Sequence, residues 1–575
     1  MSNQENNSRL LAITPNGESV GLAVAHSETG LPELAVVQPT LLGTGNIEAE
    51  DGFLQPVTLE YALSGATAIK PGDVEQIVVT YDARHDQEDQ KIINQKLVAL
   101  LKDFGITVSE EDIIYVDKHE AESFLALQTS QFPNPNRPTL IGVLGLEEID
   151  ELSISLWAYA ENQITRVATI ENPQSVGYLY YLVAKILGED NKDFSFFSYQ
   201  HRYPPQFDQS VERNAGPSTE QFYQDLQHLV AGQLSFDAEA GEFVASEHFT
   251  SVEDKTAEVL REQLENIIHL YTYPNELAME MFAHVALERI ISLINQMLSH
   301  YLSAYELTHL CLTGKLAISA ELNTTALNLV EDPRQLSVSP FSGGGRSFLG
   351  AGYAANRQLD NLGPEATNVY LGKSHLPPEV LSALQQYEDL VSWEEIVDEE
   401  IISDAVAEIL ANQGVVAWFQ GGAELSPRVL GNRNILAAAA SSDGAKRINV
   451  IKHSPATKPT AIAITAEQAE TFFQKPVASP YMSYVMTLSE SAVTTWPHIF
   501  PVNRPHIVTL EQNPRFWKLL TALGDKTGLA AAYKSSFNPH LKPIVEHPTQ
   551  ALQFFVESPG IDALVINNFL VKKMS

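Results

Sequence analysis

The run Gln76–Tyr81 (QIVVTY) is apolar at most of its positions, and a strand of that kind is covered on both faces. Covering it takes helical layers, so this run commits the surrounding chain to an α/β arrangement. Its neighbours agree. Glu88–Phe104 sets Ile92, Ile93, Leu97, Leu100 and Leu101 at helical spacing, and Asp112–Val116 reads as the next strand. Upstream, Leu10–Thr14, Gly21–Ala25 and Leu34–Val37 are short apolar runs bounded by Asn-Gly and Thr-Gly turn signals.

The pattern changes from about Thr219 to Leu307. Leu260, Leu264, Ile267 and Ile268 suit one amphipathic helix, and Met281, Val285, Leu287, Ile290, Ile291, Leu293 and Ile294 another. His309–Thr313 (HLCLT) returns to strand. Breakers at Leu362-Gly363-Pro364 and the acidic stretch after them mark a linker. Ile401–Asn412 (helix) and Gly414–Phe419 (strand) then open a second α/β unit. The 575 residues therefore divide as 1–365, a linker over 366–400, and 401–575.

Asp plus Glu number 72 against 36 Lys plus Arg, a net charge of −36. Such a chain has no general attraction for nucleic acid or anionic membranes. The single cysteine, Cys311, rules out an intramolecular disulfide and suits a reducing compartment. In an apolar strand it reads as a small buried hydrophobe. The polar start and the lack of any spanning apolar stretch predict a soluble, cytoplasmic protein.

One segment inverts the charge balance. Between Arg428 and Lys458 stand six basic residues (Arg428, Arg433, Lys446, Arg447, Lys452, Lys458) and one acid, Asp443. Phosphate groups need such a place, because they pair with Arg forks and Lys ammoniums. Charge alone leaves a solvated basic face or structural ion pairs equally open.

The residues around that segment carry a resemblance. Val415–Leu436 reads VVAWFQGGAELSPRVLGNRNIL and is similar to the signature of the NodU/CmcH O-carbamoyltransferase family. Asn449–Pro459 (NVIKHSPATKP), Ser479–Met482 (SPYM), Lys534–Asn538 (KSSFN), Lys542–Leu552 (KPIVEHPTQAL) and Ile561–Val571 follow in the family's order. Val369–Leu384 matches upstream. The resemblance implies an N-terminal actin-like ATPase domain, akin to the tRNA threonylcarbamoyl-transferring enzyme, and a C-terminal YrdC-like α/β domain. It implies ATP and carbamoyl phosphate as substrates, with carbamoyl-adenylate made in the C-terminal domain. Arg428, Arg433, Lys452, Arg504 and Ser536 take the phosphate- and adenylate-facing positions, Asn538 follows in the same loop, and Lys458 replaces an arginine of the family motif. Ser454-Pro455 stands where the family has Arg-Glu.

The N-terminal half departs further. The family holds an iron-type divalent metal on two outer histidines of an HHxxH motif and an aspartate of a later loop. Those positions are Lys118, Glu122 and Gly344 here, so no bound transition metal is expected, and Lys118 with Glu122 reads as an ion pair. His119 reads as structural. The phosphate loop at Leu144–Glu147 lacks its acid, Lys192–Gln200 lacks its glycines, and Lys315 replaces a glycine. Gly314-Lys315 lacks P-loop spacing, and Gly343–Arg346 reads as a tight turn or an anion-binding loop.

The resulting expectation is a carbamoyltransferase acting on a small-molecule hydroxyl acceptor, alone or as a homodimer. The rival is a non-catalytic paralogue that partners an intact carbamoyltransferase or another pathway enzyme. Neither involves nucleic acid or a membrane.

Overall fold

The structure, a computed structural model, describes the chain apart from residues 1–8, 16–19, 29–30, 38–52, 66–70, 82–86, 133–135, 146–151, 172–173, 188–218, 251–254, 272–273, 344–345, 358–367, 455–458, 541 and 575. Two compact units divide it. One is Met1–Ser130 with Ser339–Ser575, and the other is Gln131–Val338.

In the first unit, β1 (Arg9–Thr14), β2 (Gly21–His26), β3 (Pro32–Val37), β4 (Val74–Tyr81) and β5 (Ile113–Asp117) form a sheet ordered β3-β2-β1-β4-β5. β1 to β3 are an antiparallel meander, while β4 and β5 add in parallel beyond β1. Leu11, Ile13, Leu22, Val24, Ile77 and Val79 fill one core with Leu97 and Leu101 of the Gln87–Asp103 helix, as the periodicity predicts.

In the second unit, β6 (Thr139–Leu144), β7 (Leu152–Ala160) and β8 (Gln163–Glu171) form another antiparallel meander. β9 (Leu234–Asp237) and β10 (Glu242–Ala245) make a separate hairpin. β11 (His309–Thr313) and β12 (Leu336–Val338) join β6 in parallel, giving the order β12-β11-β6-β7-β8. The two sheets thus share one topology, in which a three-strand meander is extended from its first strand by two parallel strands. The predicted helices are Lys255–Tyr271 and Asn275–Ala304. Cys311 is buried in β11.

The remainder of the first unit holds an eight-stranded sheet. Its strands are β13 (Val391–Glu395), β14 (Val415–Phe419), β15 (Arg433–Ala438), β16 (Ala461–Thr465), β19 (His506–Val508), β20 (Ala531–Ser536), β21 (Ala563–Ile566) and β22 (Phe569–Lys573). β17 (Met486–Thr487) and β18 (Val502–Asn503) pair apart from it. The order is β13-β22-β21-β14-β15-β20-β16-β19. Helices Glu399–Ala411 and Pro514–Thr527 cover one face through Ile402, Val406, Phe516, Leu519 and Leu523, packed on Trp418, Leu436 and Ala532. The interval 366–400, read from sequence as a linker, carries the Pro377–Gln385 helix and β13, which pairs with β22.

One close approach fixes the N-terminal sheet's cover. Helix Ser347–Asn356 lies so near helix Lys118–Gln128 that a Cβ on Gly350 would stand 1.9 Å from the Ala121 carbonyl oxygen. Only hydrogen fits there.

Candidate functional site

The Gln420–Asn432 loop between β14 and β15 is held rigid by side chains that serve its backbone. Glu424 Oε1 accepts from the amides of Leu430 (2.8 Å), Asn432 (2.7 Å) and Arg433 (3.2 Å). Asn432 Nδ2 donates to Gly422 O at 2.8 Å. Asn513 caps the Pro514–Thr527 helix through the Phe516 amide, and its Nδ2 donates to Asn432 Oδ1 and Tyr370 Oη, each at 3.1 Å. Tyr370 in turn donates to Leu430 O at 2.7 Å. Gly431 has φ +109, and a Cβ there would meet Phe516 at 2.7 Å and Asn513 at 2.9 Å, so this glycine is required by both backbone and space. The loop's order is what places Arg428.

The strand end opposite gathers three of the predicted residues. Lys452, at the C-terminus of helix Gly444–Ile451, points Nζ at Asn538 Oδ1 (2.5 Å), Asn538 O (2.7 Å), Ser536 O (3.1 Å) and Ser536 Oγ (3.3 Å). Four neutral oxygens thus hold the ammonium at the end of β20. Lys534 lies two residues earlier on that strand, and alternation puts it on the face of Ser536. Its Nζ donates to Val429 O, next to Arg428. Burial, the largest effect, pushes Lys534 down to about 7; Arg504 and Arg428 press the same way and Glu424 opposes them. Arg428, Arg504 and Lys534 therefore form one electrostatic group.

Arg433 is placed differently. It is wholly buried, stacked with its Cζ 3.6 Å from the Phe419 ring centroid, and donates to the carbonyls of Gln420 and Gly421. Burial lowers its pKa, and Glu546, Glu424 and Tyr61 oppose that. Arg433 thus belongs to a polar knot joining the N-terminal sheet's cover to the C-terminal sheet. There Tyr61 donates to Glu546 Oε1 at 3.1 Å, and His375 Nε2 donates to Glu546 O at 2.9 Å. Burial first, then Arg433 and His547, pushes His375 down to about 4. Burial raises Glu546. Lys458 lies outside the described residues.

At the family's metal positions, Lys118 opens its helix, while His119 and Glu122 are buried within it. Asp117 caps the helix through the Glu120 amide at 2.9 Å. Glu122 faces Arg346, which burial pushes down to about 10 and Glu122 lifts. Glu122 thus has Arg346 as an electrostatic neighbour brought from a distant loop. Gly344 and Lys192–Gln200 lie outside the described residues. Among the described residues, no group of three or more His, Cys, Asp or Glu is arranged to hold a metal ion, and no helix is long and apolar enough to cross a membrane.

Sequence reasoning missed Lys534, Glu424 and His506. Lys534 stood in a quoted motif, but nothing local announces that a lysine will be buried. His506 is 0% exposed, and neither ring nitrogen has a hydrogen-bond partner.

Residues 407–573 match the family described as carbamoyltransferase C-terminus. The chain is 30% identical over 305 residues to nodulation protein NolO of Bradyrhizobium diazoefficiens, covering 50% of this chain and 53% of NolO. It is 25% identical to nodulation protein NolNO of Sinorhizobium fredii over 87% of this chain and 69% of that protein. With 3'-hydroxymethylcephem-O-carbamoyltransferase of Streptomyces clavuligerus it shares 32% identity over 30% of this chain and 34% of that enzyme. The chain thus spans about half the length of NolO and a third of the cephem enzyme.

Proposed function

We propose that the C-terminal sheet and its loops bind ATP and carbamoyl phosphate and form carbamoyl-adenylate for O-carbamoylation of a small-molecule hydroxyl. The observation that carries this reading is the convergence of Arg428, Arg504 and Lys534 beside the Lys452–Ser536–Asn538 strand end. Joining two polyanions needs fixed cations set before the reaction begins. Carbamoyl phosphate loses phosphate to water; the carbamate oxygen attacks the α-phosphorus of ATP, and pyrophosphate leaves. Lys452 holds the strand end that carries Ser536 and Asn538, while Arg428 and Arg504 neutralise phosphoryl oxygens. The acceptor hydroxyl then attacks the carbamoyl carbon, giving up its proton as AMP leaves.

For the fold we take the N-terminal part as an actin-like ATPase. The repeated meander-plus-two-parallel-strands topology of β1–β5 and of β6–β8 with β11 and β12 supports this. The C-terminal sheet is taken as YrdC-like on the sequence resemblance. The family's divalent metal does not fit the residues here. Lys118 presents a cation where an electron pair is needed, and Glu122 is faced by the Arg346 guanidinium. No step is assigned to a metal.

ATP–pyrophosphate exchange, run with and without carbamoyl phosphate, tests the reading. Exchange that requires carbamoyl phosphate and is lost in Lys452→Ala supports it. No exchange in the native chain would favour the second reading, a non-catalytic partner of an intact carbamoyltransferase. The burial of Arg433 among loop carbonyls speaks for that alternative.

A further inference from the structure

Lysine is almost never fully buried without a reason, and Lys534 is 2% exposed. It occupies the first position of KSSFN, where the resembling family motif has asparagine. Two arginines of that motif set are missing here, replaced by Ser454 and Lys458. The groups that face Lys534 are Glu424, Arg428, Arg504 and His506. Cross-strand register extends the picture. Lys534 pairs with Ala461, and Ala532 with Ala463, which pairs with His506. Directly opposed residues share a face, so His506 lies on the same side of the sheet as Lys534.

Around the buried ammonium of Lys534, two guanidinium groups raise the cost of its charge and one carboxylate, Glu424, lowers it. His506, neutral and unpartnered at both nitrogens, leaves a buried donor and a buried acceptor unsatisfied, a state that proteins rarely tolerate. A bound oxyanion answers the charge and the orphaned donor: it neutralises the ammonium and guanidinium groups and accepts the imidazole N–H.

Resting on the carbamoyltransferase reading above, we propose that Lys534, with Arg428 and Arg504, directly binds a phosphoryl oxyanion, with His506 as a neutral donor. Burial pushes Lys534 down to about 7, so an empty site loses its third charge as pH rises through neutrality. The arginines keep their charge, and burial and Lys534 hold His506 well below its ordinary value and hence neutral.

Calorimetric titration with sulfate, whose charge is constant at these pH values, tests this on the full chain from about pH 6 to about pH 9, with ATP in parallel. The wild type should bind sulfate about tenfold or more weakly at the alkaline end, since the protonated fraction of Lys534 falls by a larger factor. Lys534→Asn should bind as the wild type does at alkaline pH, with no pH dependence. Lys534→Arg should bind tightly throughout, because its charge does not titrate there. Sulfate affinity that is flat with pH in the wild type, or equal in wild type and Lys534→Asn, overturns the role of Lys534. If ATP still binds in that case, the wider reading stands without it. If neither sulfate nor ATP binds the wild type at millimolar concentration, both fall together.

Discussion

Replacing Lys534 by methionine should stabilise the unliganded protein, and more so at low pH. Burial brings the ammonium from 10.5 down to about 7. At about 1.36 kcal/mol per pH unit, that is a cost of about 5 kcal/mol while the group stays protonated in both states. Methionine has similar length and no charge. It leaves Val429 O without its donor, a loss of about 1–3 kcal/mol, so the net gain below pH 7 should be about 2–4 kcal/mol. The sign of the pH dependence follows from proton counting. Between about 7 and about 10.5 the unfolded chain holds a proton that the folded one has released, so wild-type stability rises with pH through that window. The variant lacks this rise, and its advantage should shrink steadily across the window and reverse near its top. Urea unfolding followed by tryptophan fluorescence at several pH values gives the difference directly. A difference that is constant with pH, or a variant less stable than wild type at about pH 6, would refute the reasoning that this lysine is held at a cost.

Gly350→Ala should lower the stability of the first unit by about 3 kcal/mol or more, since its Cβ would stand 1.9 Å from Ala121 O and two helices must separate; an unchanged melting curve would show that the crossing is loose. Asn513→Ala removes a helix cap, one bond to Asn432 of the Gln420–Asn432 loop and one to Tyr370, which itself holds Leu430 of that loop. It should cost about 2–3 kcal/mol and weaken ATP binding measured by calorimetry. Protein purified without added metal should carry no stoichiometric iron, manganese or zinc, because Lys118 and Glu122 present the wrong donors; elemental analysis at about one transition metal per chain would sink this.

The two α/β regions were legible because their strands and helices carry unambiguous periods. Gln76–Tyr81 became the inner strand β4, and the Glu88–Phe104 stripe became a helix packed on the same core. The β6–β8 meander was not foreseen. β8 is largely exposed or half-buried, so its residues carry little of the apolar signal that marks a core strand. The interval 366–400 looked like linker for the same reason, since edge strand β13 buries Val391 and leaves its two glutamates exposed.

Sequence by itself determined where a local reversal of charge falls, with Arg428, Lys452, Ser536 and Asn538 in ordered motifs around it. It could not decide which of them remain available. Only the tertiary structure turned Arg433 inward onto Phe419 and the loop carbonyls, set Arg346 within the field of Glu122, and buried Lys534 beside Arg428, Arg504 and His506. The physical reason is that charge is written in the sequence, whereas desolvation is not. The energy of a buried cation depends on neighbours brought from distant positions by strand register and helix packing.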